Sequence, residues 1–144
     1  MGEQDLADVA HFLWEAGTLK AARRTGWWMA GVRDPESVAE HAWRTSVIAS
    51  VIATLEGADA ARAAHLAVWH DSQETRTGDV NHLGKKYAAP GAPAAVTADQ
   101  TAGMPEVLRS AIRAVVTESG RLLADQLLAQ APLDWLRAAM GERG

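Results

Sequence analysis

His65-Leu66-Ala67-Val68-Trp69-His70-Asp71-Ser72-Gln73-Glu74, continued by Thr75-Arg76-Thr77-Gly78-Asp79, lies near the middle of a 144-residue chain. An imidazole and a carboxylate, His70 and Asp71, close an apolar and helix-like run. Glu74 follows four residues after His70, so a continuous helix puts the two on one face. Imidazole and carboxylate donors at short spacing suit a divalent cation of intermediate hardness. Alone, a His-Asp dipeptide is more often a solvated pair than a metal site. The weight of the reading therefore rests on what the flanking segments bring to it.

Upstream, Ser37-Val38-Ala39-Glu40 has the pattern of a capping box, with Ser37 as N-cap and Glu40 at the third helical position. A helix is expected from there to about Glu56, stopped by Gly57. His41, Thr45, Ile48, Ile52 and Leu55 form its apolar stripe, widened by Val47 and Val51. His41 then sits in the first turn of a buried face, where a neutral imidazole needs a partner for each nitrogen, or a metal. The next helix starts near Asp59, carries Ala63, Leu66, Ala67 and His70 inward, and ends around Glu74 or Thr75.

Further upstream, Leu6, Val9, Ala10, Leu13, Trp14 and Gly17 fall at helical spacing, which predicts a first helix over about 5–19 with His11 and Phe12 at the edge of its apolar face. The stretch from Lys20 to Pro35 is basic, aromatic and punctuated by glycine and proline, and reads as a loop. Arg23, Arg24 and Arg33 are candidates for an anionic group, since a guanidinium matches phosphate bidentately. Trp27 or Trp28 is a candidate cover for a base or ring. Each residue taken singly is better explained as a solvated arginine or a core tryptophan.

Downstream, Thr77 to Gly84 is turn-rich, and Lys85-Lys86 makes a second basic patch. Ala88 to Ala95 reads as a linker and Thr97 to Thr101 as a short helical turn. Pro105 opens a helix to about Val116, with Val107, Leu108, Ala111, Ile112, Val115 and Val116 on its apolar side. Another helix covers Arg121 to Ala131 and a short one about Leu133 to Met140. Asp125 stands in the leucine run of the former, where a carboxylate needs exposure, a partner or a metal.

Composition narrows the classes. Alanine and leucine dominate and strand formers are few, which favours an all-α fold. The formal net charge of −4 argues against a nucleic-acid polymer as partner, while a small phosphorylated ligand needs only local positive charge. The chain has no cysteine, so any metal here uses His, Asp or Glu. The polar, acidic start and the lack of a long apolar run predict a cytoplasmic protein without a membrane span.

His41, then His70-Asp71, then the distant Asp125 follow the order of metal ligands in the HD-domain phosphohydrolase superfamily, which the chain resembles. Arg24-Thr25-Gly26-Trp27, Pro35 to His41, His70-Asp71 with Glu74, and Thr77-Gly78-Asp79 are similar to the branch that contains the 5′-deoxynucleotidases. The resemblance runs from about Gly17 to Tyr87. It implies a single HD domain over residues 1–144, a helical bundle of about five to seven helices. The C-terminal half departs from the family pattern, with a compressed lead-in from Ser119 to Leu123 before Asp125, and reads as shortened. The resemblance further implies a divalent-metal phosphomonoesterase that hydrolyses (deoxy)nucleoside 5′-monophosphates through a metal-bound water, and a homodimer.

By the same resemblance His41, His70, Asp71 and Asp125 are the metal ligands. Glu74 and Asp79 act on the attacking water and the leaving group, and Arg24 with Trp27 contacts substrate. One divalent ion is implied per chain, and the donor set admits Mn, Co, Fe, Ni, Zn or Mg. No serine sits in a nucleophile-elbow pattern and no Walker loop is present, so neither a covalent route nor triphosphate binding has support. Two other classes stay open: an HD enzyme for another phosphate ester, a cyclic nucleotide or oxidation at a di-iron centre, and a non-catalytic helical binding or oligomerisation module. A dinuclear site needs further ligands, and neither His65 nor His82 is an obvious one.

Overall fold

A computed structural model of the chain describes residues 2–88 and 91–114. Among these residues the architecture is helical, with no strand beyond one isolated bridge between Arg23 and Ser37. The expected all-α class is what is found. Asp125 and the helices expected over 121–140 lie outside the described residues.

The first helix, α1, spans Glu3–Gly17, and a 3₁₀ turn at Thr18–Lys20 extends it. Its inward face is not the expected one. Leu6, Leu13 and Trp14 are exposed, whereas Phe12 is buried and Val9 partly so. Phe12 stacks on Trp69 with ring centroids 5.6 Å apart and packs with Met104 and Ile112. Burying that one ring is worth about 1.5–3 kcal/mol, and it turns the helix so that Glu15, three residues on, also faces inward. His11 is exposed, in keeping with a surface residue.

A short helix, α2, spans Thr25–Met29 where a loop was expected. It is started from a distance, because Asp79 accepts from both the backbone N–H and the hydroxyl of Thr25. Gly31, at φ 86°, ends it in a backbone region that suits glycine. Just before α2 the chain is strapped to the start of the next helix. Arg24 N–H donates to the Glu36 carbonyl at 3.0 Å, and Val38 N–H to the Ala22 carbonyl at 2.8 Å.

Helix α3 spans Val38–Leu55 and has the expected capping box. Ser37 Oγ accepts from Glu40 N–H at 3.2 Å, and Glu40 accepts from Ser37 N–H at 2.6 Å. Its buried stripe is Val38, His41, Ala42, Thr45, Ala49 and Ala53. The expected aliphatics Val47, Ile48, Val51 and Leu55 are exposed instead, and so is Trp43. Small residues explain the reversal. Ala49 and Ala53 meet Ala63 and Ala67 of α4, Ala60–Trp69, so the two helices pack closely along alanines and leave no room for larger side chains. Asp59 caps α4, accepting from Arg62 N–H at 2.9 Å.

Helix α4 ends at Trp69, five residues before Glu74, and a turn intervenes before α5, Glu74–Thr77. The single continuous helix expected through Glu74 is therefore not present. His70 Nδ1 lies 2.6 Å from the Ala67 carbonyl, so the ring takes up an acceptor of the last helical turn, and the chain leaves the helix as it enters the His-Asp pair. Helix α6 spans Pro93–Gln100, longer than the turn expected over Thr97 to Thr101, with proline in its first turn. Helix α7 spans Glu106–Arg113. Of its expected apolar side, Ile112 is buried, Val107 is exposed and Leu108 lies at the edge of exposure.

Glu15 ties α1 to the far side of the molecule. Its carboxylate accepts from Arg76 Nε at 2.7 Å and Nη2 at 2.9 Å, from Thr75 Oγ1 at 2.8 Å, and from Gln100 Nε2 at 2.9 Å. The Arg76 hydrogen bonds, opposed by partial burial and aided by Gln100 and Thr75, bring its carboxyl from 4.5 down to about 2. A depressed carboxyl stabilises the fold above its unfolded value and loses that contribution as pH falls from about 4.5 through about 2. Glu15→Gln is expected to cost about 1–3 kcal/mol at pH 7, the scale of hydrogen bonds to a charged group. It should also flatten the acid limb of the stability profile. Urea midpoints at pH 7 and pH 3 check this, and a variant with an unchanged acid limb contradicts it.

Candidate metal centre

Three ligand-type side chains converge between α3 and the end of α4. His41, His70 and Asp71 each offer one donor atom, and these atoms lie within 4.8 Å of one another. The capping box that fixes the first turn of α3 fixes the origin of His41. His70 and Asp71 come from the first two residues after α4, where the chain breaks from the helix.

His70 Nδ1 sits on the Ala67 carbonyl, which can only accept, so Nδ1 carries the proton. In the neutral ring Nε2 is then the lone-pair nitrogen, which is how a metal-binding histidine is normally oriented. His70 Nε2 lies 3.0 Å from Asp71 Oδ2, and His41 Nε2 lies 3.6 Å from the same oxygen. Neither approach has the geometry of a hydrogen bond, and both Nε2 atoms are buried without one. The two rings are 5.3 Å apart at an angle of 60°. Two orphaned imidazole nitrogens aimed at one carboxylate oxygen are costly in a closed core, and a divalent cation would satisfy all three donors. The residues therefore fit such an ion.

The electrostatics of His41 agree. Burial, then the charge of Arg24, pushes the His41 imidazole down to about 4, which keeps it neutral and able to coordinate. Burial also opposes the charged form of His70, but the Asp71 carboxylate and the Ala67 carbonyl outweigh it and hold that ring above its ordinary value. Burial favours a neutral Asp71, yet His70, Arg24 and His41 together hold its carboxyl below the ordinary range.

Arg24 and Asp79 stand beside this group. Arg24 Nη1 is 3.3 Å from Asp71 Oδ2 and 3.4 Å from Asp79 Oδ1. Asp79 is delivered by Gly78, whose φ of 68° suits glycine, and its other oxygen accepts from Thr25. Asn81 Nδ2 donates to Thr25 Oγ1 at 3.4 Å, so Thr25 links the two segments. Glu74 is buried, and its Oε2 has no hydrogen-bond partner. Burial first, then the charges of Asp71 and Asp79, raises its carboxyl to about 8. It borders a cavity of about 60 Å³ that Lys85 also lines.

The structure thus brings together His41, His70, Asp71, Arg24 and Asp79, with Glu74 close enough to feel both aspartates. Trp27 is half-buried on α2, and Trp28 is exposed. His65, His82 and Arg33 are exposed, and Arg23 turns away from the centre to bond the Pro35 carbonyl and Asp34. Asp125 lies outside the described residues. Sequence reading assigned no role to Thr25, Glu15 or Gln100. A buried glutamine carries no pattern of its own, and Thr25 gains its role only when Asp79 folds against it.

A sequence profile described as an HD domain matches residues 16–118. Human 5′-deoxynucleotidase HDDC2 is 41% identical over 72 residues, which make up 50% of this chain and 35% of that protein. The 5′-deoxynucleotidase hdd1 of Schizosaccharomyces pombe is 32% identical over 72 residues, 50% of this chain and 36% of that protein. The chain thus spans about a third of the length of these curated relatives. A conserved hypothetical protein from Pyrococcus furiosus superposes with a TM-score of 0.67 at 25% identity, covering 92% of this chain and 84% of its own. A structural-genomics crystal structure superposes with a TM-score of 0.63 at 31% identity, covering 83% and 73%.

Proposed function

The chain belongs to the HD-domain family, and from that premise we propose that it is a divalent-metal phosphohydrolase whose substrates are (deoxy)nucleoside 5′-monophosphates. One observation carries the proposal: two buried imidazole Nε2 atoms without partners, converging with Asp71 on one point. The named 5′-deoxynucleotidases among its relatives support the choice of substrate class.

His41, His70 and Asp71 would hold the ion, with Asp125 proposed as a fourth ligand. Bound there, a divalent cation supplies Lewis acidity toward a phosphoryl oxygen and toward water. The chain's own residues supply the rest. Arg24 presents a guanidinium at the rim of the ligand group, where its fork matches two phosphate oxygens and orients the ester. Trp27, three residues on, is proposed to flank the nucleoside.

Glu74 is the proposed base. Its buried Oε2 is free to accept, and its carboxyl, raised to about 8 in the metal-free protein, ionises more readily beside a divalent cation. It would then take a proton from the water that attacks phosphorus, while the bond from phosphorus to the 5′-oxygen breaks and that oxygen takes a proton from solvent. Asp79 has both oxygens engaged, one by Thr25 and one by Arg24. We therefore assign it first to holding Arg24 and the start of α2, and to proton transfer only if substrate draws Arg24 away.

The test is phosphate release from a panel of nucleoside and deoxynucleoside 5′-monophosphates by metal-stripped chain, resupplied in turn with Mn, Co, Mg or Zn. Release that appears only with metal, and is greatest for deoxynucleotides, is the expected result. A folded chain that binds Mn²⁺ and releases no phosphate from any member of the panel overturns the phosphohydrolase reading.

A further inference from the structure

We propose that Gln100 is a positioning residue for the metal centre, holding Asp71 and Glu74 at their spacing; this rests on the metal-site reading above. Gln100 ends α6, is distant from the His-Asp turn in sequence, and is buried. Its side-chain amide donates to the Ser72 carbonyl at 3.0 Å and to Thr75 Oγ1 at 2.7 Å. Ser72 is the residue after Asp71, and Thr75 is the residue after Glu74. One planar group therefore pins the chain immediately beyond each of the two acids.

The turn needs such a pin. Apart from Gln100, the backbone bonds described between the end of α4 and α5 are short-range, such as Ser72 N–H to the Trp69 carbonyl at 3.0 Å and Glu74 N–H to the Asp71 carbonyl at 3.0 Å. Four buried side-chain atoms without a hydrogen-bond partner are concentrated there: His70 Nε2, Ser72 Oγ, Gln73 Oε1 and Glu74 Oε2. Without an external restraint, the turn would relax to expose or pair them.

Gln100 is itself held. Its Nε2 also lies 2.9 Å from Glu15 Oε1, which accepts from Thr75 and Arg76 as well. Three acceptors share the two hydrogens on Nε2, which fixes the amide's orientation, while its Oε1 is buried without a partner. The outer leg, Glu15 to Arg76, is more exposed and touches neither Ser72 nor the ligand group. Stabilising the bundle and positioning the centre are therefore separable within one cluster.

The separation defines the experiment. Gln100→Met keeps length and removes both donors, Arg76→Ala removes the outer leg alone, and Ile112→Val loosens the neighbouring core. Mn²⁺ affinity of the metal-stripped chain is measured by titration calorimetry, and amide hydrogen exchange at Glu74, Arg76 and Gly78 is followed without metal. Gln100→Met is expected to weaken Mn²⁺ binding about 10-fold or more, the scale for residues that orient metal ligands, and to speed exchange across the turn. Arg76→Ala and Ile112→Val should lower the melting temperature with Mn²⁺ affinity changed less than about 2-fold.

Should Gln100→Met not fold, Thr75→Val removes one acceptor with little change of shape and should move both readouts in the same direction. Unchanged affinity in Gln100→Met, or losses of equal size in Ile112→Val, would overturn the proposal. A wild-type chain that binds no Mn²⁺ removes the metal reading and this inference together. One that binds Mn²⁺ but releases no phosphate removes only the phosphohydrolase reading and leaves this inference to stand on its affinity data.

Discussion

Asp71→Asn is expected to abolish metal-dependent phosphate release while leaving the helical fold in place. Asp71 is where the centre's contacts meet: His70 Nε2 at 3.0 Å, Arg24 at 3.3 Å and His41 Nε2 at 3.6 Å all approach the same Oδ2. Asparagine preserves the shape of the side chain but removes the anion that opposes two imidazoles and a guanidinium. Arg24 keeps Asp79 as a partner, so the variant is not left with a wholly unpaired buried cation. The metal reading assigns several kcal/mol of transition-state stabilisation to the ion. At about 1.4 kcal/mol per decade, its loss lowers release by ~10³-fold or more. Mn²⁺ affinity should fall in parallel. Far-UV circular dichroism confirms the fold, and a D71N variant that retains release within tenfold of wild type would exclude Asp71 as a ligand.

Much of this centre was legible before any coordinates, because its ligands lie close to local signals. Ser37 and Glu40 announce the start of α3, which fixes His41 in the first turn, and Asp59 announces α4, which runs into His70. A capping box and an N-cap are short-range physics and survive any tertiary context. The adjacent His70 and Asp71 need no fold to be neighbours.

What the sequence hid depends on long-range packing. The face of α3 that turns inward is set by Ala49 and Ala53 meeting alanines of α4, and a hydrophobicity pattern favours Ile48, Val51 and Leu55 instead. Phe12, expected at the edge of a face, lies at its centre because Trp69, Met104 and Ile112 surround it. Helix α2 exists because Asp79, 54 residues away, anchors Thr25. The helix break at His70 follows from the ring bonding the Ala67 carbonyl, a choice that periodicity does not encode. Gln100 belongs with these: its role is visible only once α6 lies against the turn.

Glu74→Gln separates catalysis from folding in opposite directions. As the proposed base, Glu74 should cost ~10²–10⁴-fold in turnover when replaced, the usual worth of a general base. Mn²⁺ binding should persist, because Glu74 is not among the three converging ligands. Folding of the metal-free chain should improve. Burial and the charges of Asp71 and Asp79 raise the Glu74 carboxyl from 4.5 to about 8, so the folded protein holds this proton more tightly than the unfolded chain does. The sign follows: the contribution is fully present below about pH 4.5 and is lost as pH rises toward about 8, where the buried charge must form. Glutamine never ionises and escapes that loss. E74Q and wild type should therefore have similar urea midpoints at pH 4, while at pH 8 the variant should be more stable by on the order of a few kcal/mol, the linkage cost of ionising a carboxyl raised from 4.5 to about 8. A carboxyl kept where it weakens the apo fold is best explained by the chemistry it performs. Equal midpoints at pH 8 would mean that Glu74 finds a partner in solution, and retained turnover would mean that another group takes the water's proton.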